Sequence, residues 1–368
     1  MTLYGAPVFD RPVRRPSAGS VRGELVARDC RPKVGGPAGR RPALRKIALL
    51  SLLLSLPLSA QILTSTPRGV VVAHTNRIQL SGGWTADGVE NPTSIVTGED
   101  RVAVLDALND EAVIVELASG RATRLKTAAT PVAATFLGKE LYVLARDARV
   151  LQHGQTKIPL EADPALLRQR GGRLYVYSRA TGIVEEIDRD RVTRRVTVAP
   201  YASDLEISGD TAYLVYPHSA KVRTVDLKTM KTSGELVVGA VPVDLAFAGG
   251  GTALTARILA VADPSSKRIW LAEANQSMTE AIARGFLRGV LGLGLFGNRS
   301  SQFPTGVDRV AVRGKSWVAY DSSSGTLYQF TRSKSSVVAK GVPPGAWTLT
   351  GNGVAWWNGT SVAEKRLQ

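Results

Sequence analysis

Leu141-Tyr-Val-Leu-Ala145, Leu174-Tyr-Val-Tyr-Ser178, Tyr213-Leu-Val-Tyr-Pro217, Leu259-Ala-Val-Ala-Asp263, Trp317-Val-Ala-Tyr-Asp321 and Val354-Ala-Trp-Trp-Asn358 repeat one phrase, and Arg101-Val-Ala-Val-Leu-Asp106 is a seventh copy. Each is a short run rich in Val, Leu and Tyr followed by a polar turn, the signature of a buried strand. A shorter run precedes it, such as Ser94-Ile-Val, Ala133-Ala-Thr-Phe or Val243-Asp-Leu-Ala-Phe. A polar turn and a third run follow, as in Ala112-Val-Ile-Val-Glu-Leu117 and Lys221-Val-Arg-Thr-Val-Asp-Leu227. Turn residues such as Ala118-Ser-Gly-Arg121 then lead into a fourth.

Prolines mark the period. They stand at 92, 131, 164, 200, 242, 304 and 344, at spacings of 39, 33, 36, 42, 62 and 40 residues. All but the fifth spacing match one four-stranded blade of a β-propeller. The expectation is therefore an all-β, seven-bladed β-propeller over residues 61–368. Pro344 leaves room for only three strands, so residues 66–91, with Gly69-Val-Val-Val-Ala73 and Arg77-Ile-Gln-Leu80, are expected to add an outer strand to the last blade and close the ring. The long fifth spacing places an insertion at 277–303 in the fifth blade-to-blade connection. Its apolar positions and caps predict a helix over 279–297, although glycines at 285, 289, 292 and 294 weaken it.

Ala260-Val-Ala-Asp263, Val318-Ala-Tyr-Asp321 and Val222-Arg-Thr-Val-Asp-Leu227 resemble the strand phrases of YncE-like propellers, related to the quinoprotein- and NHL-type seven-bladed superfamily. The resemblance runs over 66–368 as a degenerate grammar. It implies the fold and a secreted context, and leaves activity open, because propellers serve many functions.

The first 43 residues are rich in Arg, Pro and Gly and carry no apolar period, which reads as a disordered extension. Arg40, Arg41, Arg45 and Lys46 then precede an apolar run over 47–58 and the small pair Ser59-Ala60. That order is a signal peptide at 44–60, too short for a comfortable membrane span. A periplasmic or extracellular location follows. The distance of the signal from Met1 suggests that translation starts downstream, at Val34 or Leu44. Cys30 is the sole cysteine and precedes the cleavage point, so the mature chain has no disulfide, cysteine metal site or thiol nucleophile. The net charge of +16 divides into +8 for residues 1–60 and +8 for the remainder, where bases and acids are interspersed. No nucleic-acid stripe results.

Candidate chemistry is sparse. His74, His153 and His218 fall in different blades, and His218 is the best placed, on the turn after a second strand. Asp106, Asp263, Asp321 and Asn358 end second strands. They could ring a channel mouth and offer oxygen ligands, or they could start turns by bonding their own backbone. The ligand sets of gluconolactonase-like and streptogramin-lyase-like propellers are not matched, and neither a metal nor a cofactor is expected. The triplets at Asn275, Asn298 and Asn358 are short glycosylation patterns of little weight. Arg284, Phe286, Leu287, Arg288 and Leu291 in the insertion form a candidate docking arm or peripheral membrane contact. The expected function is an exported, monomeric binding or scaffold propeller recognising a protein, peptide or envelope polymer. The alternative is a divergent propeller enzyme, a lyase, lactonase or quinoprotein-dehydrogenase-like protein, with its site at the channel mouth.

Overall fold

The computed structural model describes residues 61–248, 257–274, 299–313, 316–331, 334–351 and 353–367. They form eight antiparallel sheets in sequence order, seven of four strands and one of three. The blades span 62–87, 94–126, 131–159, 164–197, 204–237, 244–302, 309–339 and 347–366. In each, the first strand is innermost and the chain steps outward strand by strand. Neighbouring blades pack face to face, so second strands are almost wholly buried and third strands largely so, while fourth strands are more open: Arg191–Thr197 alternates between exposed and half-buried positions. The repeated phrase of the sequence is the second strand, whose apolar side chains enter every inter-blade core.

The expected count of seven is corrected to eight. Residues 62–87 do not lend one strand to the last blade; they build a complete sheet from Ile62–Thr66, Gly69–His74, Arg77–Leu80 and Thr85–Asp87. The stretch fits because its strands are short and its second turn, Thr75-Asn76, has two residues where most other blades use four. The final sheet, Trp347–Leu349, Gly353–Trp357 and Val362–Arg366, has no fourth strand among the described residues.

The insertion is corrected as well. Arg299–Gln302 pairs with Arg268–Ala274 as the fourth strand of blade six, Leu271 opposite Arg299 and Arg268 opposite Gln302. The extra residues thus leave between the third and fourth strands of one blade, at the end remote from the Asp263 turn, rather than in a blade-to-blade connection. The predicted helix over 279–297 lies outside the described residues, as do residues 1–60; among the described residues the helical content is a single 3₁₀ turn at Pro217–Ser219.

One clasp recurs around the ring. The residue that ends the turn between second and third strands adopts positive φ: Asp110, Arg149, Gly182, Ala220, Lys267 and Gly325, at φ 50 to 70°. Its carbonyl accepts the amide N–H of a residue at or just past the end of the fourth strand: Thr127, Leu160, Val198, Val238, Phe303 and Val342, at 2.7–3.0 Å. Blade one uses Asn76, which receives Gly88 at 3.1 Å. Each clasp bends the chain from the outer edge of one blade toward the inner strand of the next. Only two of the six positions are glycine, although an L-residue in this conformation costs about 1–2 kcal/mol.

Two substitutions test the clasp. A Cβ on Gly182 would stand 2.4 Å from the Ala199 carbonyl carbon, so Gly182→Ala is expected to destabilise by about 2–4 kcal/mol from strain and overlap together. Arg149→Gly, which relieves strain at an equivalent position, is expected to stabilise by up to about 1 kcal/mol in denaturant melts.

Candidate binding face

The two ends of the ring differ. At one end lie the turns between first and second strands, often two residues long: Gly138-Lys139, Gly171-Gly172 and Gly209-Asp210. At the other lie the four-residue turns after second strands and the connectors between blades. This connector face carries the apolar exposure. Of the five exposed large hydrophobic residues among the described ones, Leu108 sits on a blade-two turn, Tyr201 and Val241 on connectors, and Val237 at the end of a strand leading into one. Val337 alone lies away, on an outer strand.

Tyr201 is the unusual member. It is 59% exposed and has φ 65°, a conformation rare for a bulky aromatic residue. The surroundings hold it there. Its N–H donates to the Arg179 carbonyl at 3.0 Å. The Tyr177 hydroxyl accepts the next amide, Ala202, at 2.9 Å and donates to the Ala199 carbonyl at 2.7 Å. The Tyr216 hydroxyl donates to that same carbonyl at 3.1 Å. Burial raises the pKa of both tyrosines, so both hydroxyls stay protonated and able to donate.

Beneath the connectors, charge gathers on the inner strands. Tyr201 and Val241 each stand three residues ahead of an inner-strand acid, Asp204 and Asp244. These acids link successive blades: Asp204 accepts the Leu245 amide of blade six at 3.1 Å, and Asp244 accepts the Val310 amide of blade seven at 2.7 Å. Arg168, from blade four, donates to Asp204 at 3.0 Å and to Glu206 at 2.9 Å. Arg309 reaches Asp244 at 3.4 Å. Three carboxylates and two guanidiniums thus line the inner strands of blades four to seven. Burial raises the Glu206 pKa. It also pushes Asp244 up to about 8, with the Asp204 carboxylate adding to the effect and Arg309 opposing it.

The residues singled out from sequence are placed apart. The carboxylates of Asp106, Asp263 and Asp321 are fully buried at three separate turns. Asp106 accepts the amides of Asn91, Leu108 and Asn109. Asp263 takes the Ala240 amide at 2.7 Å and the hydroxyls of Ser265 and Ser266 at 2.7 Å each. Burial works against its charge, but those bonds prevail and hold its pKa far below the usual carboxylate range. Asp321 accepts from Ser323 and Ser324, and Asn358, exposed one position further along, accepts the amides of Thr360 and Ser361. His218 is exposed on the connector face, in the 3₁₀ turn of blade five. His74 is buried edge-on against Trp357, 4.8 Å between ring centroids, and burial lowers its pKa. His153 stacks on Tyr142 and bonds Glu140 at 2.9 Å, on another blade. Among the described residues no group of three His, Asp or Glu side chains is set to hold a metal. Arg284, Phe286, Leu287, Arg288 and Leu291 lie outside the described residues.

Arg168, Asp204, Glu206, Asp244 and Arg309 were not singled out from sequence. Their signal was present: Asp-Leu recurs in register at 204–205 and 244–245, a charge set inside a strand that should be apolar.

No protein-family model matches this sequence, and no curated protein matches it either. Solved structures do. Hydrazine synthase from Kuenenia stuttgartiensis superposes with a TM-score of 0.55 at 13% identity, covering 75% of this chain and 95% of that one. BamB from Moraxella catarrhalis gives 0.55 at 10% identity over 82% and 94%. BBS1N, solved in complex with ARL6DN, gives 0.52 at 12% over 74% and 90%. At such identities the likeness shows the fold, and the protein is a β-propeller.

The raised Asp244 pKa has a signed consequence. The native state keeps a proton that the unfolded chain, with an ordinary carboxylate, releases near pH 4. Stability is therefore expected to fall as pH rises from about 4 through about 8. Asp244→Asn, which retains an acceptor for Val310, is expected to flatten that decline in thermal melts between pH 5 and 9.

Proposed function

We propose that this protein is an exported, non-enzymatic β-propeller that recognises a protein or peptide partner through its connector face, centred on blades four to six. The observation that carries this reading is Tyr201. A bulky aromatic ring is held out to solvent on strained backbone by two buried tyrosine hydroxyls, and strain of this kind is retained where a site uses it. Exposed tyrosines are frequent anchors of interfaces. Val241 and His218 lie on the same face, and the charged inner strands below offer a mixed polar floor for a side chain entering the mouth. The solved complex of BBS1N with ARL6DN is a precedent for a propeller of this fold with a protein partner.

Export to the periplasm or outside the cell, and kinship with YncE-like propellers, belong to the same proposal. Export is supported by the basic residues 40–46 ahead of the apolar run 47–58, and kinship by the strand phrases at 222–227, 260–263 and 318–321.

The test is affinity capture from an extract of the producing cells, with three baits side by side. A partner recovered by the unaltered protein and by the outer-strand control Val337→Ser, but reduced about 30-fold with Tyr201→Ala plus Val241→Ser, fits a hot spot worth about 2 kcal/mol. Equal recovery on all three baits would refute the reading. Tyr201→Gly separates function from stability: it should raise stability by about 1 kcal/mol through relief of the left-handed conformation while weakening capture.

A further inference from the structure

The outer edge of blade eight differs from every other edge in the ring. Seven blades end in a fourth strand; among the described residues the eighth has three, the outermost being Val362–Arg366. Third strands elsewhere are sheltered; Glu111–Glu116 and Ile183–Asp188 are largely buried. Here Glu364, Lys365 and Arg366 are exposed. The Asn358 amide donates to the Ser361 carbonyl, and Trp357 donates inward to Ala346. Hydrogen-bonded and non-bonded pairs alternate along an antiparallel ladder. Ala363 and Lys365 therefore bond the second strand, and the backbone groups of Val362, Glu364 and Arg366 point outward. Among the described residues nothing pairs with them.

The other blades show what such an edge accepts. Third and fourth strands answer each other in charge. Arg77 faces Asp87 in blade one, and Glu111 faces Lys126 and pairs with Arg124 at 2.8 Å in blade two. Glu185 meets Arg195 at 3.0 Å in blade four, and Lys221 meets Glu235 at 2.6 Å in blade five. The third strands of blades three and seven carry no Asp, Glu, Lys or Arg, and in blade six Arg268 reaches the Ser300 hydroxyl instead. On blade eight, Lys365 and Arg366 outnumber Glu364 and make no ion pair among the described residues. The thirty residues that lead into the first strand, 31–60, contain no Asp or Glu. They lack the chemistry that this edge calls for.

We propose that the open edge of blade eight binds an extended, acidic segment of another protein, which adds antiparallel to Val362–Arg366 as a fourth strand. Main-chain bonds to Val362, Glu364 and Arg366 would supply affinity, and carboxylates opposite Lys365 and Arg366 would select the sequence. This site is separate from the connector face, and its test does not depend on that reading.

The probes are two fluorescent, end-capped decapeptides, one alternating Glu with Val and Thr, the other identical except for Lys in place of Glu. Binding to the full chain is followed by anisotropy, and amide hydrogen exchange is read at residues 362–366. The acidic peptide is expected to bind at least about tenfold more tightly than the basic one and to slow exchange at Val362, Glu364 and Arg366. Glu364→Pro removes one outward N–H that the blade does not use, so it should abolish binding with the thermal melt unchanged. Lys365→Glu with Arg366→Glu should reverse the preference. Equal affinity for both peptides, binding that survives Glu364→Pro, or outward amides already protected without peptide because the chain covers its own edge would each overturn the proposal.

Discussion

The bond from each fourth strand's end back to the left-handed residue of the same blade's outer turn governs the rest of this ring. A four-stranded sheet ends at its outer edge, and the next blade begins some four strands' width away at the axis. The connector must cross that distance over the blade's end without leaving backbone groups unpaired. A carbonyl rotated outward by positive φ supplies the acceptor at the start of the crossing. Asp110, Arg149, Ala220 and Lys267 hold this conformation without glycine's freedom. The strain is borne because each clasp sets the pitch from one blade to the next.

The connector face inherits its rigidity from this arrangement. Tyr201 projects from a crossing that is tied at both ends, by Val198 to Gly182 and by Ala202 to the Tyr177 hydroxyl. The crossings deliver Asp204 and Asp244 to the top of the inner strands, where each carboxylate caps an amide of the following blade. These acids therefore act as joints between blades as well as part of the mouth. That double position is why Asp244 is buried deeply enough to resist ionisation.

Much of the architecture was legible in the second strands, because buried strands must repeat apolar residues and end in turn formers. Two errors came from the same source. The proline ahead of blade one, Pro57, falls inside the run read as a signal peptide, and the blade turns tightly at Thr75-Asn76, so a period defined by later prolines and four-residue turns passed over it. The long interval before Pro304 was placed between blades because Arg-Ser-Ser-Gln at 299–302 has no apolar alternation, and its identity as a strand comes only from pairing with Arg268–Leu271. The turn aspartates were visible, but their burial at three separate clasps depends on tertiary packing that local sequence does not encode. The inner-strand charges were visible too, at 204 and 244, yet sequence alone does not say that Arg168 and Arg309 stand beside them.

Among the described residues, the ring closes without a shared strand. Blades one and eight meet by side-chain packing of Leu63, Val70 and Val72 with Val354 and Trp357, by the His74–Trp357 contact, and by one backbone bond from Leu63 to Gly345. A shared strand would have made opening the ring a matter of breaking a whole hydrogen-bonded ladder. This seam is instead a joint of packed apolar side chains, without the covalent connector that links the other neighbours. Mechanical load applied through residues 62 and 366 would reach this joint first, and blades one and eight would part before any sheet lost its strands. The propeller behaves in this respect as a stack bent into a circle, whose cohesion between blades is that of a repeat protein and whose terminal faces protect each other from solvent.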